Sequence, residues 1–276
     1  MTSINPGILV GYDGSASSRE AVSWAARAAR ERGVALTVCH TWAPGQAGPA
    51  LEPEHEDPAE ASARWTLSTA VRNSDPEGVR HILAERPAAE VLCEQSAGAE
   101  MVIVGSRGLS GLSGLMLGSV SLRVATFAVS PVVVVRGRWR PTAGYMPGHV
   151  VVGIDGSAAS ADALAFAGTE AALRRVPLTA VCALADAAGE LGVGQHIGEE
   201  FEHIVTAWEK DHPEVEVHRH VTGCSARTAL LDAAQDAQLL VVGRHGRGGL
   251  PHMMIGTVTE TLLSHTPCPV AVVGAR

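Results

Sequence analysis

Apolar residues fall along the chain in short Val-, Ile- and Leu-rich runs, separated by longer stretches with helical spacing. Runs at 7–12, 35–41, 79–84, 101–105 and 132–136 predict strands, and the segments near 16–32, 57–73, 87–97 and 118–128 predict helices. The series then starts again, with strands predicted near 149–154, 177–183, 215–221, 239–243 and 270–274. Strands apolar throughout, alternating with helices, predict a parallel sheet covered on both faces.

The restart is a sequence repeat. "ILVGYDGSASSREAVSWAARAA" from Ile8 matches "VVVGIDGSAASADALAFAGTEA" from Val150, and "SPVVVVRG" from Ser130 matches "CPVAVVGA" from Cys268. A period this long describes two tandem domains rather than a solenoid. The Pro- and Gly-bearing "RGRWRPTAGYMPG" (136–148) serves as linker, so the domains are read as 1–143 and 144–276. The acidic, Pro-rich stretch 43–60 is read as a solvated surface loop.

Each copy carries one glycine pattern after its fourth strand: Gly, two residues, Gly, nine residues, Gly, then Ser or Thr. It covers Gly105, Gly108, Gly118 and Ser119 in the first copy, and Gly243, Gly246, Gly256 and Thr257 in the second. In an open parallel sheet, ligands sit beyond the carboxyl ends of the strands where strand order reverses. The first strands end there in "VGYDGS" and "VGIDGS", placing Asp13 and Asp155 opposite the glycine loops. Glycines let the backbone approach a ligand, and the free N–H groups of the helix that follows make an anion site suited to phosphate. Ser121 and Thr259 on its first turn are candidate hydroxyl donors. Two alternatives are set beside this: turn glycines with Ser/Thr caps, and aspartates acting only as helix N-caps. The identical spacing in both copies favours the ligand reading, with the aspartates on a ribose hydroxyl or a metal.

Composition narrows the chemistry. A formal net charge of −8 argues against a nucleic-acid or anionic-membrane partner. Lys210 is the only lysine, which excludes a Walker-type phosphate loop. Five cysteines without a C-x-x-C pair suit a reduced interior, and no leader or spanning segment is read, so a cytoplasmic protein is expected. Cys39 and Cys182 are taken as small buried hydrophobes, and His218 with His220 as a surface pair rather than metal ligands.

The glycine pattern, the aspartate-ended first strand and the double copy resemble the ATP-binding branch of the universal stress protein family, tandem-domain type. The resemblance covers roughly 5–138 and 148–276. It implies two Rossmann-like domains of the adenine nucleotide alpha hydrolase-like kind, each a five-stranded parallel sheet of order 3-2-1-4-5. It also implies ATP, with or without Mg2+, as cofactor. Carried over by position, Gly11 and Gly153 lie beneath the nucleoside, and the backbones of Thr41 and Ala183 meet the adenine edge. The phosphates fall to Gly105, Ser106, Arg107, Gly108, Gly118, Ser119, Val120 and Ser121 in one half. In the other they fall to Gly243, Arg244, His245, Gly246, Arg247, Gly256, Thr257, Val258 and Thr259, whose extra cations are expected to favour a triphosphate. Asp186 is a further candidate beside the nucleoside, its alternative being a solvated loop charge.

The reading that follows is a nucleotide-dependent regulator of stress response with two adenine nucleotide sites and an unidentified protein partner. A slow ATP hydrolase on the same fold is the alternative, and a pure interaction protein a third. The resemblance further implies that the fifth strands, "VVVV" and "VAVV", pair with each other; a homodimer of the whole chain would need a second surface. A fragment of residues 1–143 should therefore self-associate, because its apolar edge strand loses its mate. Sedimentation at micromolar concentration checks this: Val133→Glu with Val135→Glu should weaken the association, and a stably monomeric fragment would mean that the edge is protected otherwise.

Overall fold

The computed structural model describes residues 7–42, 64, 79–108, 117–136, 148–185, 193–247 and 255–274. The predicted helix at 57–73 (save residue 64), the loop at 43–60, the linker between 137 and 147 and Asp186 lie outside these. Two compact units, Met1–Val135 and Arg136–Arg276, divide the chain, ahead of the boundary read from the linker.

The first unit runs β1 (Gly7–Gly11), α1 (Ala16–Arg32), β2 (Leu36–Thr41), β3 (Val79–Ala84), α2 (Ala88–Ser96), β4 (Ala99–Gly105), α3 (Ser119–Phe127) and β5 (Val132–Val135). The second runs β6 (Val150–Gly153), α4 (Ala158–Arg174), β7 (Leu178–Ala183), α5 (Val193–Asp211), β8 (Val217–Thr222), α6 (Ala226–Ala233), β9 (Leu239–Gly243), α7 (Thr257–His265) and β10 (Val270–Val273). The strand order is β3-β2-β1-β4-β5 in one unit and β8-β7-β6-β9-β10 in the other, which is the expected 3-2-1-4-5 twice. All the pairings within each unit are parallel.

Burial explains why the strands read as unbroken apolar runs. Ile8, Leu9 and Val10 of β1 are fully buried, as are Val150, Val151 and Val152 of β6, because each strand is flanked by others and covered by helices on both faces. The outer strands β3 and β8 keep exposed residues, among them His81 and His218. Register places the ends of the central strands together: Val10 lies opposite Val38 on one side and Ile103 on the other. The chain leaves β1 toward β2 and returns beyond β1 to β4, so the carboxyl ends of β1 and β4 flank the reversal point.

The helices behind these strands begin and end on local signals. Ser15 caps α1, its hydroxyl accepting the Ser18 N–H at 3.1 Å, and Ser157 caps α4 in the same way from Ser160 at 3.2 Å. In the second unit α5 is seated on α4 through Gly168, where a methyl group would overlap the Trp208 ring. Arg219 of β8 ties α5 down further, reaching Glu202 at 3.2 Å and Glu209 at 2.6 Å.

α1 and α4 stop on a left-handed residue whose N–H returns to the last turn. In the first unit that residue is Gly33, φ 66°, and in the second it is Arg175, φ 56°. A side chain strains this conformation and glycine does not. Arg175→Gly should therefore stabilise the protein by about 0.5–1 kcal/mol, read as a higher urea midpoint at unchanged slope. A lowered midpoint would mean that the arginine side chain holds the turn.

Candidate functional site

Each unit opens a cavity at the reversal point, of about 330 Å³ in the first and about 360 Å³ in the second. The walls use matching positions of the repeat. In the first unit Gly11, Asp13, Thr41, Gly105, Arg107, Gly108, Gly118, Ser119, Val120 and Ser121 all line it. In the second Gly153, Asp155, Ala183, Gly243, His245, Gly246, Arg247, Gly256, Thr257, Val258 and Thr259 do.

Ser106 and Arg244 do not join them, contrary to expectation. Both occupy the second position of the glycine pattern, where the backbone is a clamp. The Ser106 N–H donates to Val135 at 2.9 Å and its carbonyl accepts the Gly118 N–H at 2.8 Å. Arg244 repeats this with Val273 at 2.7 Å and Gly256 at 2.9 Å. Their side chains consequently turn away from the cavity: Ser106 is buried beside Ser17, and the Arg244 guanidinium lies next to Gly274.

The aspartates are not the helix caps; they hold the loop that leads into the caps. Asp13 Oδ1 accepts the Ser15 N–H at 3.0 Å, and Asp155 Oδ1 accepts the Ser157 N–H at 3.0 Å and its hydroxyl at 2.6 Å. Asp155 Oδ2 also accepts the Arg247 N–H at 2.8 Å. Burial by itself would raise the Asp155 carboxyl, but the hydrogen bonds from Ser157, Arg247 and Ser160 outweigh it and hold the group below the usual aspartate range.

The glycines divide by what their missing methyl groups would meet. At Gly105 a Cβ would fall 2.7 Å from the backbone carbon of Ser17, and at Gly243 it would fall 2.9 Å from Ala159 Cβ, so these two seat α1 and α4 against the sheet. At Gly108 it would lie 2.7 Å from Asp13 Oδ2, and at Gly246 it would strike Asp155 Oδ2. Gly118 and Gly256 are different: the nearest protein atoms are 3.4 Å away, ordinary contact, and φ is −77° and −68°. Among the described residues nothing there requires glycine. Neither glycine has a side chain to cap with, so among the described residues α3 and α7 start beside the cavity without a side-chain cap.

The hydroxyls of Ser121 and Thr259 are spent on the protein itself, which corrects their assignment as phosphate donors. Ser121 donates to the Gly105 carbonyl at 2.6 Å and Thr259 to that of Gly243 at 2.9 Å, pinning each helix to the strand end. One wall was not foreseen. Ala88 and Leu92 of α2, like Ala226 and Leu230 of α6, close each cavity on its apolar side. The signal was present, since Ala and Leu four residues apart stand at matching repeat positions. Ile197 of α5 adds to the second cavity.

The model of the universal stress protein family matches residues 7–136 and again 146–274. The chain belongs to the universal stress protein family. A universal stress protein of Mycolicibacterium smegmatis is 35% identical over 288 residues, covering 98% of this chain and 97% of its own length. One from Mycobacterium tuberculosis is 32% identical over 284 residues, 96% of each chain. Among solved structures, the crystal structure of a universal stress protein from Archaeoglobus fulgidus superposes with a TM-score of 0.72 at 20% identity, covering 99% of both chains, a likeness of fold.

Other side chains singled out in the sequence sit apart from phosphate chemistry. Burial pushes the Cys39 thiol up to about 12 and the Cys182 thiol to about 11, so both stay protonated at neutral pH. His218 pairs with Glu216 at 2.9 Å on exposed β8, and among the described residues no group of three His, Cys, Asp or Glu gathers to hold a metal. Among them, too, no helix is long and apolar enough to cross a membrane.

The lowered Asp155 carboxyl has a testable consequence. A depressed group contributes stability that is present above its unfolded value, about 3.9, and lost as pH falls through the folded value. The stability gap between the native chain and Asp155→Asn should thus be flat above about pH 5 and narrow as pH falls further. Denaturant midpoints across that range check it; a gap independent of pH would mean that the charge of Asp155 plays no part.

Proposed function

We propose that each unit binds one adenine nucleotide, ATP being the one expected, and that the protein is a nucleotide-dependent regulator read by a protein partner. The observation that carries this reading is the pair of repeat-related cavities. Each sets an aspartate against the start of a helix that, among the described residues, has no side-chain cap and begins on a glycine that nothing crowds. An anion is what such an N-terminus attracts, through its free N–H groups and its dipole. Each cavity also has an apolar wall, from Leu92 and Val104 in one unit and from Ile154, Val181 and Leu230 in the other, which suits a flat base more than a free phosphate.

In this reading the phosphates lie against the N–H groups of residues 119–121 and 257–259. The ribose hydroxyls face Asp13 and Asp155, and the base lies at the ends of β2 and β7. Mg2+ would join through the phosphates with one carboxylate, as that ion usually does. A regulator is favoured over a hydrolase by the state of Asp155: a carboxyl held below its usual range, with both oxygens accepting hydrogen bonds, is a poor general base.

Calorimetry on nucleotide-stripped protein should find two adenine nucleotides per chain. Gly118→Ala and Gly256→Ala should each remove the site in their own unit, since the methyl group enters space that the phosphate needs, while thermal unfolding stays where it was. A single site, no site, or binding unchanged in both variants overturns the reading.

A further inference from the structure

The two sites differ most at one cation. Arg247 follows the second glycine of its loop, where the first copy has Leu109. Its N–H donates to Asp155 Oδ2 at 2.8 Å, which fixes its backbone at the cavity wall. Its guanidinium does not reach into the cavity unopposed: it hydrogen-bonds the carboxylate of Glu200, on α5. The pair lies over the turn after β6, where a Cβ on Gly156 would fall 2.9 Å from Glu200 Cδ and 2.9 Å from Arg247 Cζ. One turn earlier on α5, Ile197 forms part of the cavity wall, so the carboxylate belongs to the rim of the same site. The helix is seated by Gly168 and Trp208 and by Arg219, which keeps Glu200 in place.

We propose that Glu200 limits how much phosphate charge the second site accepts, weakening its hold on a triphosphate relative to a monophosphate by occupying Arg247 and adding a negative charge beside the cradle. The proposal rests on the nucleotide reading of this cavity. It reverses the expectation, drawn from counting cations, that this site prefers a triphosphate. Arg247 and Glu200 side chains are 37% and 32% exposed, so their pair faces water and is weak enough to exchange. A ligand anion entering the cradle competes with Glu200 for the same guanidinium while meeting its charge and that of Asp155. A monophosphate carries less charge into that field than a triphosphate does.

The test uses the full chain, with chelator present so that no divalent cation masks the charges. ATP and AMP are titrated by calorimetry into the native protein and into Glu200→Gln, with the site in the first unit as internal reference. Affinity for ATP at the second site should rise about three- to tenfold in Glu200→Gln, with a smaller change for AMP. The gain should shrink at about 0.5 M salt, which a purely structural effect would not do. Adding Arg247→Met to Glu200→Gln should cancel it. An ATP-to-AMP preference that is unchanged or falls in Glu200→Gln overturns the proposal while leaving the nucleotide reading intact. A native chain that binds neither nucleotide at the second site overturns both.

Discussion

The contact on which each site depends is between an aspartate just past the end of the first strand and a glycine three residues after the last residue of the fourth strand. These two segments are far apart in sequence and meet only because the strand order reverses between them. Asp13 Oδ2 occupies the place that a Cβ on Gly108 would need, and Asp155 does the same at Gly246. The carboxylate also accepts the N–H of the cap residue, Ser15 or Ser157, so one side chain joins strand, loop and helix start. A side chain at the glycine would force the carboxylate out and open the crevice floor. The aspartate is thus structural and lines the cavity at once.

Around that contact, the glycine pattern resolves into separate jobs. Its first glycine makes room for a helix and its second for a carboxylate, while its third is crowded by no atom of the described residues. The residue after the first glycine clamps the fifth strand to the third glycine through its backbone, which leaves its side chain free to differ: Ser106 in one copy, Arg244 in the other. A helix that starts on Gly118 or Gly256 gives up the serine cap that α1, α4 and α6 all have. Among the described residues no side-chain cap replaces it.

Most of the fold was legible because every strand except β3 and β8 is largely buried and takes few polar residues, so apolar runs and strands coincide to within a residue or two. The order 3-2-1-4-5 came from resemblance rather than periodicity, since alternation alone does not say which strand lies beside which. Within the site, backbone positions were legible and side-chain directions were not. Arg244 looked like a phosphate donor because cations in a glycine loop often are; a backbone clamp at that position turns it outward. Ser121 and Thr259 looked like donors for the same reason, but a strand-end carbonyl within reach takes their hydrogens. Glu200 and Ile197 were invisible in the loop motifs because they arrive on α5, whose counterpart segment is the least similar part of the repeat.

On the proposed reading, the two cavities are backbone-built anion sites. N–H groups are donors whatever side chain they carry, so Ser119 can face Thr257 across the repeat without changing the cradle. Constraint falls on glycine spacing and on the aspartate, both of which the copies share. Side chains at the base end and rim are released from it, and there the copies have diverged: Tyr12 against Ile154, Cys39 against Val181, Arg107 against His245. The divergent positions lie where a ligand would be told apart from its relatives, and the shared ones where any phosphate would be held. Duplication of such a domain therefore yields two sites of one class whose preferences separate without disturbing the fold, and the Arg247–Glu200 pair is the most local instance of that separation.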